Sequence, residues 1–114
     1  MMNAISQRRF EACGVDDLCQ DAGVAIKIVD QQIALFYFPE ESRCVYAIDN
    51  FDPIGEANVL SRGIVGDKSG ELVVASPLYK QHFSLESGRC LEDESVMVRV
   101  YPVAIENGAI FIWI

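Results

Sequence analysis

Histidine is nearly missing from this sequence. Its 114 residues contain one, His82. A single histidine excludes every mechanism that needs a histidine pair. A lone general base also needs a nucleophile and an orienting group, and no local pattern around His82 supplies them. Because His82 lies in an alternating segment, we expect it to be a surface or half-buried structural residue.

Basic residues are also few. The chain has 9 Lys and Arg against 17 Asp and Glu, which gives a formal net charge of −8. Phosphate binding needs a basic face, and so does attraction to an anionic membrane surface. The composition therefore argues against nucleic-acid and membrane partners. Solubility through self-repulsion is the simplest explanation of the charge, and an acidic face for a basic protein is the alternative.

Neither a Cys-x-x-Cys motif nor a long apolar segment is found. Residues 1–20 carry five charged side chains and no apolar core, so we expect no signal peptide, and the run at 33–38 is far too short to span a membrane. The four cysteines are separated by 5, 24 and 45 residues, which matches no zinc or ferredoxin spacing. We therefore expect a cytoplasmic protein without disulfides, whose thiols are reduced and mostly buried. These are Cys13, Cys19, Cys44 and Cys90.

The length predicts a single domain, residues 1–114, with residues 1–8 as a loose N-terminal segment. Hydrophobic residues make up 51% of the chain, enough for a packed core. Short apolar or alternating runs bounded by turn signals predict strands. The main ones are 10–13, 24–29, 33–38, 43–48, 71–75, 82–85, 96–105 and 109–114. A tight turn is expected at 30–32, a short strand at 89–91 is expected to form a hairpin with 82–85, and Asn107-Gly108 is a hairpin signal before the final strand. With almost no helix, this pattern predicts an all-β antiparallel sandwich or barrel with two protruding loops.

These two loops are the most distinctive feature of the chain. The first loop (residues 49–58) and the second loop (residues 76–81) each follow a strand and contain an Asp-Pro or Ser-Pro turn. Such loops are where a small β domain binds a ligand or meets a partner. Asp49 and Asp52 could form half of a carboxylate metal site, but an Asx turn at Asp52 explains them with fewer assumptions. Tyr79 and Lys80 lie at the tip of the second loop, where Tyr79 either faces a partner or packs back over the loop.

The loops resemble those of Rieske-type iron–sulfur domains, in which one loop carries Cys-Pro-His and the other Cys-Pro-x-His. In this resemblance Asp52 and Ser76 stand at the two cysteine positions, and Ile54 and Tyr79 at the two histidine positions. A Rieske centre needs two thiolates and two imidazoles, so the resemblance implies the fold without the cluster. The space left by the cluster should be filled by Tyr79 or Ile54, or bridged by hydrogen bonds from Asp52 or Ser76 to loop amides.

Further segments, NFDP at 50–53, VLSRG at 59–63 and VASPLYKQHF at 74–83, are similar to the small subunits of assimilatory NAD(P)H-dependent nitrite reductase, which reduces nitrite to ammonium. This resemblance implies an accessory subunit with no chemistry and no cofactor of its own. Its partner would be the large subunit, which carries FAD, sirohaem and iron–sulfur clusters. Besides the four replaced ligand positions, the residues expected to contact that partner are Phe51, Pro53, Pro77, Leu78 and Lys80.

Two other functions fit parts of the sequence. A Rieske-type ferredoxin that carries electrons to an oxygenase has the same fold, but the single histidine disfavours it. A stand-alone ligand-binding β module would need a sizeable apolar pocket away from the loops.

Overall fold

The computed structural model describes residues 7–114, and its regular structure consists of short strands and two 3₁₀ turns. The all-β prediction is confirmed. Residues 1–6 of the predicted loose segment lie outside the described residues, whereas Arg8 exchanges two backbone hydrogen bonds with Ile114. The strands are β1 (Arg9–Gly14), β2 (Ala22–Ile28), β3 (Gln31–Tyr37), β4 (Val45–Asp49), β5 (Phe51–Asp52), β6 (Ala57–Asn58), β7 (Ile64–Lys68), β8 (Glu71–Ala75), β9 (His82–Ser84), β10 (Val100–Tyr101), β11 (Val103–Glu106) and β12 (Ala109–Trp113), and the 3₁₀ turns are Val15–Asp17 and Leu60–Arg62.

A four-stranded antiparallel sheet in the order β10-β4-β3-β2 lies at the centre of the molecule. One of its faces packs with the β7-β8-β9 sheet and the other with the β1-β12-β11 sheet. Ala34 and Phe36 of β3 belong to the first of these two cores, and Ile33 and Leu35 to the second. Because both faces of β3 are buried from Ile33 to Phe36, these residues are continuously apolar rather than alternating.

Residues 96–105 were predicted as one strand, and this prediction is wrong. Pro102 divides it: β10 pairs with β4, and β11 pairs with β12. Because proline has no N–H to donate to a ladder, the chain changes sheets at this residue. The Asn107-Gly108 turn that follows has φ angles of 52° and 79°, the left-handed pair that a tight two-residue hairpin requires.

Three smaller expectations also need correction. The predicted turn at 30–32 is instead Val29-Asp30, and Gln31 already begins β3. Residues 89–91 contact β9 through a bridge between Phe83 and Cys90 and form no strand of their own. Among the four free cysteines only Cys90 is buried, so the prediction of mostly buried thiols is wrong.

Within residues 7–114, no helix is both long and apolar enough to cross a membrane.

Candidate functional site

The base of the first loop is fixed by Asn50, a buried residue with 2% exposure. Its backbone N–H donates to the Gln32 carbonyl at 3.0 Å, and its carbonyl accepts from Leu60 N–H at 3.0 Å. Its side-chain Oδ1 accepts from the N–H of Ser61 at 2.7 Å. Asn50 therefore links the first loop by hydrogen bonds both to β3 and to the 3₁₀ turn Leu60–Arg62. No role was predicted for this residue, although an Asn two residues before Asp52-Pro53 has a side-chain amide that can both donate and accept hydrogen bonds at such a loop base.

The two loops contain the same five-residue turn. In the first loop the N–H of Glu56 donates to the Asp52 carbonyl at 2.7 Å, and in the second the N–H of Lys80 donates to the Ser76 carbonyl at 3.0 Å. A proline follows the first residue of each turn. The fifth residue of each is left-handed, with φ of 57° at Glu56 and 64° at Lys80. The protein thus builds one backbone shape twice.

The first side chain of each turn holds the amides that follow it. Asp52 Oδ1 accepts from the N–H of Ile54 at 2.8 Å and from that of Gly55 at 3.1 Å, which confirms the Asx turn. Ser76 Oγ accepts from the N–H of Leu78 at 3.3 Å. Hydrogen bonds from Asp52 and Ser76 to loop amides were one of the expected replacements for a cluster, and they are present.

The same two side chains also join the loops to each other. Ser76 Oγ donates to Asp52 Oδ2 at 2.5 Å, and both residues are almost completely buried. Nearer the surface, the loops touch where Leu78 lies against Gly55. A Cβ added at Gly55 would come within 2.3 Å of Leu78 Cδ1. The loops are therefore one packed unit, held together by a buried hydrogen bond and an apolar contact.

The family cofactor suggested by the sequence does not fit these residues. A Rieske centre is a two-iron cluster in which two thiolates bind one iron and two imidazoles bind the other. Here Asp52 uses both carboxylate oxygens on protein donors, Ile54 packs on the core and has no ligand atom, and Tyr79 is 65% exposed. Across residues 7–114, no group of three or more His, Cys, Asp or Glu side chains is arranged to hold a metal ion.

The outward side of the loops is apolar and exposed. Tyr79 points to solvent rather than back over its loop, and Leu78 and Phe51 are 44% and 43% exposed. Exposed aromatic and aliphatic side chains grouped in this way are typical of surfaces that bind another protein. We call this the loop-tip surface, and its exposed residues are Phe51, Pro53, Pro77, Leu78, Tyr79 and Lys80.

Beside the second loop, His82 contacts the Glu92 carboxylate through both its backbone N–H and its ring. The two carboxylate oxygens receive the His82 backbone N–H at 2.8 Å and contact ring Nδ1 at 2.6 Å. Burial tends to raise the pKa of Glu92, but the hydrogen bonds and charge of His82 lower that pKa below its ordinary value. His82 is partly buried. Its contact with Glu92 holds the acidic segment 92–94 against β9, which is the structural role expected for His82.

A cavity of about 160 Å³ lies near this segment. Its lining is mostly charged or polar, with one buried thiol, and so differs from the apolar pocket that a ligand-binding module would need. The lining residues are Glu71, Ser87, Arg89, Cys90, Leu91 and Glu94.

Comparison with known proteins gives consistent similarities. The model of the Rieske-like [2Fe-2S] domain family matches residues 9–113. The nitrite reductase (NADH) small subunit of Escherichia coli is 43% identical over 100 residues, which cover 88% of this chain and 92% of the relative. The nitrite reductase NAD(P)H large subunit of Klebsiella oxytoca is 44% identical over 110 residues, which cover 96% of this chain but only 11% of the relative.

Solved structures show the same pattern. The solution structure of a nitrite reductase NAD(P)H small subunit from Erwinia carotovora is 44% identical and superimposes with a TM-score of 0.77, covering 93% of this chain and 81% of that one. The ferredoxin of carbazole 1,9a-dioxygenase from Nocardioides aromaticivorans is 23% identical, with a TM-score of 0.73 and coverage of 91% and 95%. At that identity the likeness concerns the fold alone.

Proposed function

The chain belongs to the Rieske-like [2Fe-2S] domain family and, within it, to the small subunits of NADH-dependent nitrite reductase, and we propose that it acts as a cluster-free docking subunit. In this proposal the large subunit carries FAD, sirohaem and iron–sulfur clusters and reduces nitrite to ammonium in the cytoplasm. The present chain contributes a rigid binding surface and no chemistry of its own.

The observation that carries this proposal is the buried hydrogen bond between Ser76 and Asp52. By the resemblance to Rieske domains, Asp52 and Ser76 correspond to the two thiolate positions of the cluster. A loop pair closed by its own side chains needs no metal to keep its shape, so its tips can serve as a permanent contact surface. The exposure of Tyr79 and Leu78 supports this use.

The large subunit is the proposed partner because of the Klebsiella relative. That protein is described as a large subunit, yet 11% of it is similar to nearly all of the present chain. A domain that forms part of the larger polypeptide in one organism is expected to bind that polypeptide where the two are separate. Physical association of the two chains is the simplest function common to both arrangements.

The test is co-purification with the large subunit from the same organism. We expect the wild-type chain to be captured and the variant Tyr79→Ala with Lys80→Ala to be captured at least about tenfold less well, as for loss of an interface anchor. Lys27→Ala, a change at an exposed lysine on β2, is the matched control and should bind normally. Unchanged binding by the double variant would exclude the loop-tip surface, and no capture of wild type would exclude the proposed partner.

An electron-carrying ferredoxin is the second candidate, since its fold is shared. Iron content and visible absorption of the purified chain separate the two. We expect a colourless protein without stoichiometric iron, because the replaced residues offer no thiolate or imidazole in the loops. A brown protein with about two irons per chain would contradict the cluster-free proposal.

A further inference from the structure

Strand β7 is an open edge of the small sheet. The order in this sheet is β7-β8-β9, so among residues 7–114 β7 has a hydrogen-bonded neighbouring strand on one side only. Such an edge can accept a strand from another protein unless charges or proline block it. Ile64, its first residue, is 76% exposed, the highest value among the large hydrophobic residues that are exposed in the described chain.

The direction of the β8 backbone groups follows from two hydrogen bonds. The N–H of Ser76 donates to the Gln81 carbonyl, and the N–H of Leu85 donates to the Leu72 carbonyl. The backbone N–H and C=O groups of Leu72 and Ser76 therefore point towards β9. Because the backbone groups of successive residues in an antiparallel strand point to opposite sides, those of the residues in between point towards β7. These residues are Glu71, Val73 and Ala75.

The partners of these three residues in β7 are Lys68, Gly66 and Ile64. The residues between the partners, Val65 and Asp67, consequently direct their N–H and C=O groups away from β8. None of these four groups takes part in the backbone hydrogen bonds that join the turns and loops of residues 7–114. Val65 and Asp67 therefore each direct one backbone N–H donor and one C=O acceptor away from β8.

The two halves of this edge differ in charge. Asp67 and Lys68 occupy the half next to the β7–β8 turn, where charge is a common protection against unwanted pairing. The other half, residues 64–66, is uncharged. It also adjoins the second loop, because Ile64 pairs with Ala75 and Ser76 follows directly. The uncharged half therefore lies at the end of β7 next to the second loop, which carries part of the loop-tip surface.

We propose that an extended segment of the large subunit pairs with β7 at Val65 and packs an apolar side chain on Ile64. This inference rests on the proposed function and adds a second contact to it. The occupant is taken to be the large subunit because the site lies next to the second loop and because the Klebsiella relative carries this domain within a large-subunit chain. Main-chain pairing would supply affinity, and Ile64 would fix the register.

The test compares two proline variants in the same capture experiment. Val65→Pro removes an outward N–H without removing one that faces β8, and Asp67→Pro does the same in the charged half. Ile64→Lys places a charge on the apolar site, and Met97→Lys is its control at another exposed residue. Circular dichroism and thermal unfolding establish that each variant is folded.

We expect Val65→Pro and Ile64→Lys each to weaken capture about tenfold or more, and the two controls to stay within about twofold of wild type. If both test variants bind like wild type while wild type itself is captured, the edge inference is wrong and the proposed function stands. If wild type is not captured, the proposed function fails first. If the isolated chain is a dimer that Val65→Pro converts to a monomer, the occupant is a second copy and the inference is overturned.

Discussion

Asp52 and Ser76 are 24 residues apart in the chain and share a buried hydrogen bond of 2.5 Å that joins the two loops. Each side chain also holds an amide of its own loop. The pair therefore fixes the shape of both loops and the distance between them. In a Rieske domain a metal cluster joins the two corresponding loops, and under the proposed function this pair of side chains would take over that structural role.

Replacing the hydroxyl should loosen this link. Ser76→Ala leaves Asp52 Oδ2 buried without its donor, and we expect the free energy of unfolding to fall by about 1–3 kcal/mol. Chemical denaturation with urea measures this change. Ser95→Ala is the control, because its hydroxyl bonds Asp93 on the exposed surface, and it should cost less than about 0.5 kcal/mol. Equal effects of the two variants would contradict the structural importance of the buried pair.

The two partners should also be energetically coupled. A double-mutant cycle of Asp52→Ala and Ser76→Ala measures the interaction directly. We expect a coupling free energy of at least about 0.5 kcal/mol, because each single variant already abolishes the shared hydrogen bond. Strict additivity within about 0.3 kcal/mol would mean that the two residues act independently.

The contact between Leu78 and Gly55 gives a steric prediction. Gly55→Ala introduces a Cβ that would lie 2.3 Å from Leu78 Cδ1 and should destabilise the protein by about 1–3 kcal/mol through overpacking. Adding Leu78→Ala should restore part of this loss by removing the clash. Gly66→Ala is a matched control, since a Cβ there meets nothing within 4 Å. If Leu78→Ala restored none of the lost stability, the contact between Leu78 and residue 55 would not be the cause of the destabilisation.

The pair of His82 and Glu92 predicts a dependence on acid. The pKa of Glu92 is lower in the folded protein than its ordinary value of 4.5. Its contribution to stability is therefore present above that ordinary value and is lost as the pH falls through the lowered one. Thermal unfolding of Glu92→Gln and wild type should differ at neutral pH and converge in acid. A difference that stays constant down to about pH 3 would argue against the ionised pair.

Much of the fold follows from local patterns. Apolar runs gave the main strands, Asn107-Gly108 gave the last hairpin, and Asp52-Pro53 gave the Asx turn. Local patterns could not give the bond from Ser76 to Asp52, because nothing in either loop specifies which distant side chain it will face. They also missed the hub at Asn50, whose partners come from β3 and the 3₁₀ turn.

The division of the strand predicted at 96–105 was missed for a related reason. The alternation of 96–105 is real, but Pro102 sends its two parts to different sheets, and only the tertiary arrangement decides this. The solvent exposure of the thiols also depends on the tertiary arrangement and was mispredicted for the same reason. Cys19 is exposed between the 3₁₀ turn Val15–Asp17 and β2, a location that its own side-chain chemistry does not reveal.

Because both loops contain the same turn, the backbone shape of the loop-tip surface depends little on which side chains that surface exposes. Main-chain bonds, two buried side chains and the fixed φ of Pro53 and Pro77 set the shape, while the Tyr79 side chain is 65% exposed. Substitutions of such exposed side chains can accordingly accumulate without loss of folding. A small subunit built in this way can follow changes in its partner's surface from one species to the next by replacing a few exposed side chains on an unchanged frame.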